Sequence, residues 1–367
     1  MGPVFLHQFF NIKPRHHASQ AKLNEWLAVA HQRVLDLTHS GEGNLAENLR
    51  YMINDSAIHQ RFTELAEIDA NWDDHEIYRL TRETPQGATI EKRGQLFQQR
   101  ALDVFAGFYA QRESAQHLIH VTCTGYISPS APQVYFAARD HAPAITHAYH
   151  MGCYASMPAT RLAQALVASG TKTVDIAHTE MCSLHMDAAT HTPEQLIVQS
   201  LFADGHIVYR ASAQKTASES FKILLIKEKL LPDSKQDMTW VASQYGMQMS
   251  LSKAVPTKIA LALSDFIAEV CQELNLDWDQ LQANSDFAIH PGGPKILTLA
   301  QELLLLNENQ IKASQEILRE RGNMSSATLP HIWQRLLERP SDKKYVLSLA
   351  FGPGLTIFGA VFERVSP

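Results

Sequence analysis

Cysteine is scarce in this chain of 367 residues. Its four cysteines, Cys123, Cys153, Cys182 and Cys271, stand at wide, irregular spacings that do not make a disulfide framework. Positive charge is not in surplus either. Lys and Arg number 32 against 38 Asp and Glu, a formal charge of −6, which gives no ground for a nucleic-acid or anionic-membrane partner. No apolar run approaches a bilayer span, and the N-terminus lacks a basic start followed by an apolar core. Phosphate loops and dinucleotide fingerprints are missing, which argues against ATP and nicotinamide chemistry. Internal repeats and low-complexity segments are missing too. A soluble, reduced, cytoplasmic protein is the expectation. With 45% apolar and 19% charged residues the composition is ordinary for a globular chain, and the length calls for two domains or one large two-lobed one.

Helical and strand-like segments alternate. Apolar residues at helical spacing mark residues 22–35 (Leu23, Trp26, Leu27, Ala30, Val34) and 95–109, and a helix over 157–169 ends at Gly170. Runs rich in apolar and β-branched residues at 117–123 and 173–177 read as strands, and 207–212 with 222–227 reads as a strand pair. A polar stretch, 232–236, sets the expected boundary between an N-terminal lobe, 1–231, and a C-terminal lobe, 232–367. The second lobe continues with a long helix over 257–274, a strand to His290, helices to Arg319, and two strands around Phe351–Gly354. The alternation predicts a mixed α/β fold, its sheets covered by helices.

Three residues carry the chemistry. Cys153 follows Gly152 and stands where a helix begins, and the partial positive charge of a helix N-terminus favours a thiolate, the form that attacks a carbonyl carbon. Taken alone, a cysteine is more often a small buried hydrophobe. His290 ends an apolar stretch and leads into the turn Pro291-Gly292-Gly293-Pro294; Asn323 follows Gly322 on another glycine turn. An imidazole beside a cysteine stabilises its thiolate, and imidazole and amide N–H groups together suit a thioester oxygen that becomes an enolate. Singly, a satisfied core histidine and a turn asparagine are the commoner outcomes. The histidines otherwise suggest little. His141, His147 and His150, and then His178, Cys182 and His185, have ligand-like spacings without a clear fourth ligand, so no metal is expected.

Taken together, the chain from Asn48 onward resembles the type III polyketide synthases, the chalcone synthase-like branch of the thiolase superfamily. The motifs that carry the resemblance are Gly152-Cys153, Leu201-Phe202-Ala203-Asp204-Gly205, His290 to Leu297, Gly322-Asn323-Met324-Ser325-Ser326-Ala327 and Phe351 to Thr356. It implies a homodimer with the five-layered αβαβα thiolase-like fold, in two similar lobes. It also implies decarboxylative condensation of malonyl-CoA onto an acyl starter, with acyl-CoA as substrate and no resident cofactor. In this scheme Cys153 is the nucleophile, His290 and Asn323 form the enolate and oxyanion site, and Phe202 is a gatekeeper. Ser325 and the Phe351, Gly352 and Pro353 loop belong to the substrate cavity.

Several positions depart from the family pattern. The second gatekeeper, usually phenylalanine, is Met249, whose flexible side chain suits a longer or bulkier acyl chain or simply fills the same volume. After Thr179-Glu180, the cavity threonines become Cys182 and His185, the latter a second candidate acid/base group. Met157 is bulkier than expected near the nucleophile. At the tunnel mouth Asn48, Tyr51 and Asp55 take positions that are usually basic, which leaves Arg50, and after it Arg61, to bind coenzyme A phosphates; otherwise an acyl carrier protein delivers a substrate. The expected product is a short polyketide, pyrone or aromatic ring. The rivals are a single-condensation β-ketoacyl synthase fed by a carrier protein and a catalytically silent acyl-binding subunit, which the complete Cys153, His290 and Asn323 set disfavours.

Overall fold

The computed structural model describes residues 2–38 and 57–366. Its strands are β1 (Phe5–Ile12), β2 (His16–Ser19), β3 (Gln60–Thr63), β4 (His117–Thr122), β5 (Ala144–Tyr149), β6 (Thr173–Met181), β7 (Asp204–Ser212), β8 (Ser220–Leu230), β9 (Met238–Ala242), β10 (Met247–Leu251), β11 (Ser285–Ile289), β12 (Tyr345–Gly352) and β13 (Thr356–Val365). The α-helices are α1 (Gln20–Thr38), α2 (Ile90–Phe108), α3 (Ala131–Ala137), α4 (Ser156–Ala168), α5 (Pro193–Leu201), α6 (Val255–Leu274), α7 (Trp278–Ala283), α8 (Pro294–Leu303), α9 (Glu308–Arg321) and α10 (Thr328–Leu337).

Among the described residues nine strands join in the order β11-β12-β13-β8-β1-β7-β6-β4-β5, so the strands at 207–212 and 222–227 do not pair with each other: the unforeseen β1 lies between them. The seam between the halves is narrow: β1 meets β8 only at Phe5↔Lys222 and Leu6↔Phe221. Two helices are shared by both halves. Helix α4 packs on β4, β6 and β7 and also on β13, while α10 packs on β1, β7 and β11. Between them lies a core containing Met157, Ile176, Tyr209, Trp333, Phe358 and Phe362. On one outer face α2 covers β1 and β6 with Phe97, Phe105 and Phe108; on the other α6 covers β8 and β13 with Ile259, Leu263 and Phe266. The result is five layers, helix, sheet, helix, sheet, helix, as the resemblance implies.

Local chemistry explains the elements. Helix α6 has Pro256 in its first turn, buries Ile259, Leu263, Phe266 and Val270 along one stripe, and stops at Asn275 in the left-handed region. Strand β6, paired with β4 and β7, is buried along nearly its whole length, hence its continuous apolar reading. Strand β1 escaped the sequence analysis although it sits mid-sheet. Gln8 has φ 53° and the register with β7 shifts between His7 and Phe10, so a bulge breaks the alternation that marks a strand. Strands β9 and β10 were missed too, because they form a separate partly polar hairpin.

Candidate active site

Cys153 lies on a single turn, Gly152–Tyr154, just before α4. Gly152 has φ +75°, and a Cβ there would stand 3.2 Å from the Pro353 ring, so the turn needs glycine on both counts. The cysteine is buried. Burial pushes its thiol up to about 12; hydrogen bonds from the Ser325 and Asn323 side chains pull the other way, and the Glu180 carboxylate adds to the rise. The expected helix-stabilised thiolate is therefore not the resting form. The helix proper starts only at Ser156, and a terminal dipole, worth about 0.3–1 kcal/mol, is smaller than the cost of a buried anion.

His290 follows β11 directly, its backbone N–H donating to the Leu349 carbonyl at 2.8 Å. The side chain is buried and neither Nδ1 nor Nε2 has a hydrogen-bond partner. Burial lowers the imidazole to about 3, so it is neutral. Burial disfavours both charges of the imidazolium–thiolate pair expected from sequence.

Asn323 is fixed by its main chain. Gly322, with φ +73°, ends α9; the Asn323 N–H donates to the Leu201 carbonyl at 2.9 Å, and its carbonyl accepts from Ala203 N–H at 2.8 Å. Its Oδ1 accepts from the Ser325 N–H at 2.9 Å, and the amide Nδ2 donates to the Gly292 carbonyl at 3.4 Å. Asn323 therefore touches both the Cys153 thiol and the turn that carries His290. Ser325 holds φ +50°, strained for a non-glycine residue, and its hydroxyl stands 3.1 Å from the Cys123 sulfur.

The cysteine borders a small inner chamber, lined also by Cys123, Met238, Thr239, Ser325 and Pro353. Beside it is a larger outer chamber. Cys182, Phe202, Trp240 and Met249 line both and form the wall between them. Phe202 and Met249, singled out from sequence, thus do face each other's chamber; Trp240 was not singled out, since only the β9–β10 pairing of Met249 with Trp240 puts the indole there. Cys123 was missed as well, being read as the end of a strand.

Other expected residues occupy different positions. The Glu180 carboxylate accepts from the Cys123 N–H at 3.1 Å, from Thr124 Oγ1 at 2.8 Å and from Ser326 Oγ, and borders neither chamber; it ties the Cys123 loop to the Asn323 turn. His185 borders the outer chamber, but its Nδ1 accepts from Met247 N–H at 3.1 Å and its Nε2 donates to the Thr124 carbonyl at 2.8 Å. Burial lowers it to about 3, so the second acid/base group proposed from sequence is a neutral tie. Phe351 is buried in β12 within the core under α6 and lines neither chamber, and Gly352 is required because a Cβ would overlap the Tyr154 ring. Met157 packs in the central core rather than in a chamber. Arg50, with Asn48, Tyr51 and Asp55, lies outside the described residues. Arg61 is buried and donates to Gln20 Oε1 and to the Gln199 and Phe202 carbonyls at 2.7–2.9 Å, so it is not free to meet a phosphate. His178 bonds Ser326, and His147 bonds Ser130. Among the described residues no three His, Cys, Asp or Glu side chains converge as metal ligands.

The chain is thus a five-layered α/β protein of thiolase-like fold with a buried cysteine, an asparagine beside it and an unpaired histidine on the adjoining turn. Comparison with known proteins agrees. Residues 222–366 match the family model of the chalcone and stilbene synthase C-terminal domain. A Dictyostelium discoideum protein described as "Probable polyketide synthase 1" is 27% identical over 280 residues, 74% of this chain and 9% of that protein, so the chain spans about a tenth of that relative's length. The C-terminal type III polyketide synthase domain of Steely1, a type I/III hybrid from Dictyostelium, superposes with a TM-score of 0.84 at 21% identity over 99% of each chain. PKS-I from the brown alga Ectocarpus siliculosus gives 0.86 at 20% identity over 100% of this chain and 99% of its own, and a type III pentaketide synthase from Neurospora crassa gives 0.80 at 21%, over 99% and 100%. Over its C-terminal part the chain is thus similar to the chalcone and stilbene synthases, and the solved structures establish its fold. Among the described residues no helix is long and apolar enough to cross a membrane.

Proposed function

We propose that this chain is a type III polyketide synthase, an acyltransferase that condenses malonyl-CoA onto an acyl group held on Cys153. The observation that carries this is the Asn323 side chain, which contacts the Cys153 thiol and reaches the turn bearing the unpaired His290. Neutral groups suit each step. As the Cys153 sulfur attacks the acyl-CoA carbonyl, its proton passes to the His290 imidazole and coenzyme A leaves as the thiol. The proton moves at the moment of attack, so no buried ion pair need exist beforehand. Malonyl-CoA then loses carbon dioxide, and the electron pair of the broken C–C bond becomes an enolate whose oxygen is held by the Asn323 amide and the imidazole N–H. The enolate carbon attacks the acyl carbonyl, the C–S bond breaks, and the Cys153 sulfur leaves. An aspartate in place of Asn323 would repel the enolate oxygen, hence a neutral amide.

The reading entails no resident cofactor, coenzyme A thioesters as substrates, a homodimer and a cytoplasmic setting. Its test is intact-protein mass spectrometry with peptide mapping after incubation with acyl-CoA thioesters. We expect an acyl adduct on Cys153 that Cys153→Ala abolishes. Asn323→Ala should still load acyl groups yet release carbon dioxide from malonyl-CoA at least about a hundredfold more slowly, as when an oxyanion donor is removed. Loading that survives in Cys153→Ala refutes the assignment; loading only from acyl carrier protein favours the single-condensation rival.

A further inference from the structure

The main chain at Cys123 and Thr124 is held from two directions. On one side Glu180 accepts from the Cys123 N–H at 3.1 Å and from the Thr124 hydroxyl at 2.8 Å. On the other, Trp240 Nε1–H donates to the Cys123 carbonyl at 2.7 Å, and His185 Nε2 donates to the Thr124 carbonyl at 2.8 Å. The β9–β10 hairpin that carries Trp240 is itself anchored: Ile90 N–H, at the start of α2, donates to the Gln244 carbonyl at 2.8 Å, and Met247 N–H donates to His185 Nδ1 at 3.1 Å. Main-chain position decides where the Cys123 thiol reaches. Its sulfur stands 3.1 Å from the Ser325 hydroxyl and 3.6 Å from Glu180 Oε2, a carboxylate already supplied by the Thr122, Thr124 and Ser326 hydroxyls. The Ser325 side chain is in turn hydrogen-bonded to the Cys153 thiol. A serine hydroxyl has one proton to give and lone pairs to fill. When the Ser325 O–H turns to the Cys153 sulfur as charge develops there, the Cys123 S–H can donate to the Ser325 oxygen, and each bond strengthens the next. The Ser325 backbone is fixed by its N–H bond to Asn323 Oδ1, so its side-chain neighbours decide where the hydroxyl points.

We propose that Trp240 is a positioning residue for the nucleophile: its indole N–H fixes Cys123, whose thiol holds the Ser325 hydroxyl on the Cys153 sulfur. The proposal rests on the reading of Cys153 as nucleophile, and the experiment separates the two. Alkylation by iodoacetamide, mapped to Cys153, is followed from roughly pH 6 to 9 in wild type, Trp240→Phe, Cys123→Ala and the double variant. Trp240→Phe keeps an aromatic ring in the wall and removes the donor. The alkylation rate should fall about threefold or more at each pH, the worth of one hydrogen bond. A role in wall shape alone has the opposite sign, because a smaller ring admits more water and reagent to the thiol. In the Cys123→Ala background the Trp240→Phe effect should vanish, since the link it acts through is gone. A smaller fall, no change or a rise in Trp240→Phe overturns the proposal, as does an effect that persists without the Cys123 thiol. If Trp240→Phe fails to fold, Trp240→Leu is scored in the same way. Should no thioester load wild-type Cys153, the reading of it as acyl acceptor fails, and the alkylation rates still decide whether Trp240 governs its sulfur.

Discussion

At Cys153 burial and hydrogen bonding oppose each other, and burial prevails: the thiol rises to about 12 while His290 falls to about 3. Both shifts disfavour charge, so between these values the free site holds a thiol and a neutral imidazole. The thiolate fraction then grows about tenfold per pH unit throughout the neutral range. We expect the rate of iodoacetamide alkylation mapped to Cys153 to climb log-linearly from roughly pH 6 to 9, with no plateau. A plateau with a midpoint near neutrality would instead reveal a thiolate–imidazolium pair. Residue identity made Cys153, His290 and Asn323 legible in the sequence, because each sits on a glycine turn. Their charge states were not legible, since a pKa depends on which atoms exclude water, and those atoms come from distant segments.

The β9–β10 hairpin, between Met238 and Leu251, builds much of the chamber wall. Its register pairs Met249 with Trp240, and Met247 N–H donates to His185, so one hairpin holds gate and partition together. Methionine is unbranched and adapts its shape; phenylalanine at this place is rigid and broad. Met249→Phe should therefore move the preferred acyl starter to shorter chains, as read by competitive loading of mixed thioesters; an identical chain-length profile would show that Met249 is no gate. The hairpin itself could not be recognised from sequence. Its partly polar strands flank Ser243-Gln244-Tyr245-Gly246 without the strict alternation of a half-buried strand, and they add no edge to the main sheet. The long helix α6, by contrast, was plain, because its apolar stripe and its proline start are local signals.

Across the whole molecule, a buried charge cluster fastens sheet to helix layer. Asp175 on β6 accepts from Arg210 on the neighbouring β7 at 2.7 and 2.9 Å, from Arg112 just beyond α2 at 3.1 Å, and from the Tyr109 hydroxyl at 3.1 Å. Burial by itself would raise this carboxyl; the two arginines outweigh it and hold it below its ordinary value. A depressed acid stabilises the fold above its unfolded pKa of about 3.9, and that contribution is lost as the pH falls through the lower folded value. Asp175→Ala leaves the two cations without their partner and should cost about 3–5 kcal/mol in chemical denaturation at neutral pH. The deficit relative to wild type should shrink in strong acid; a deficit that is the same at every pH would mean that packing rather than charge is at stake.

The sequence by itself determined the class of protein: the alternation of helices and strands and the glycine-turn motifs around Cys153, His290 and Asn323 are local, and local patterns survive without coordinates. Only the tertiary structure decided that Asn323 meets the thiol, that both ring nitrogens of His185 are bonded, and that Trp240 borders two chambers. Those facts depend on which distant segments meet, and hydrogen bonding, burial and cavity shape are properties of that meeting.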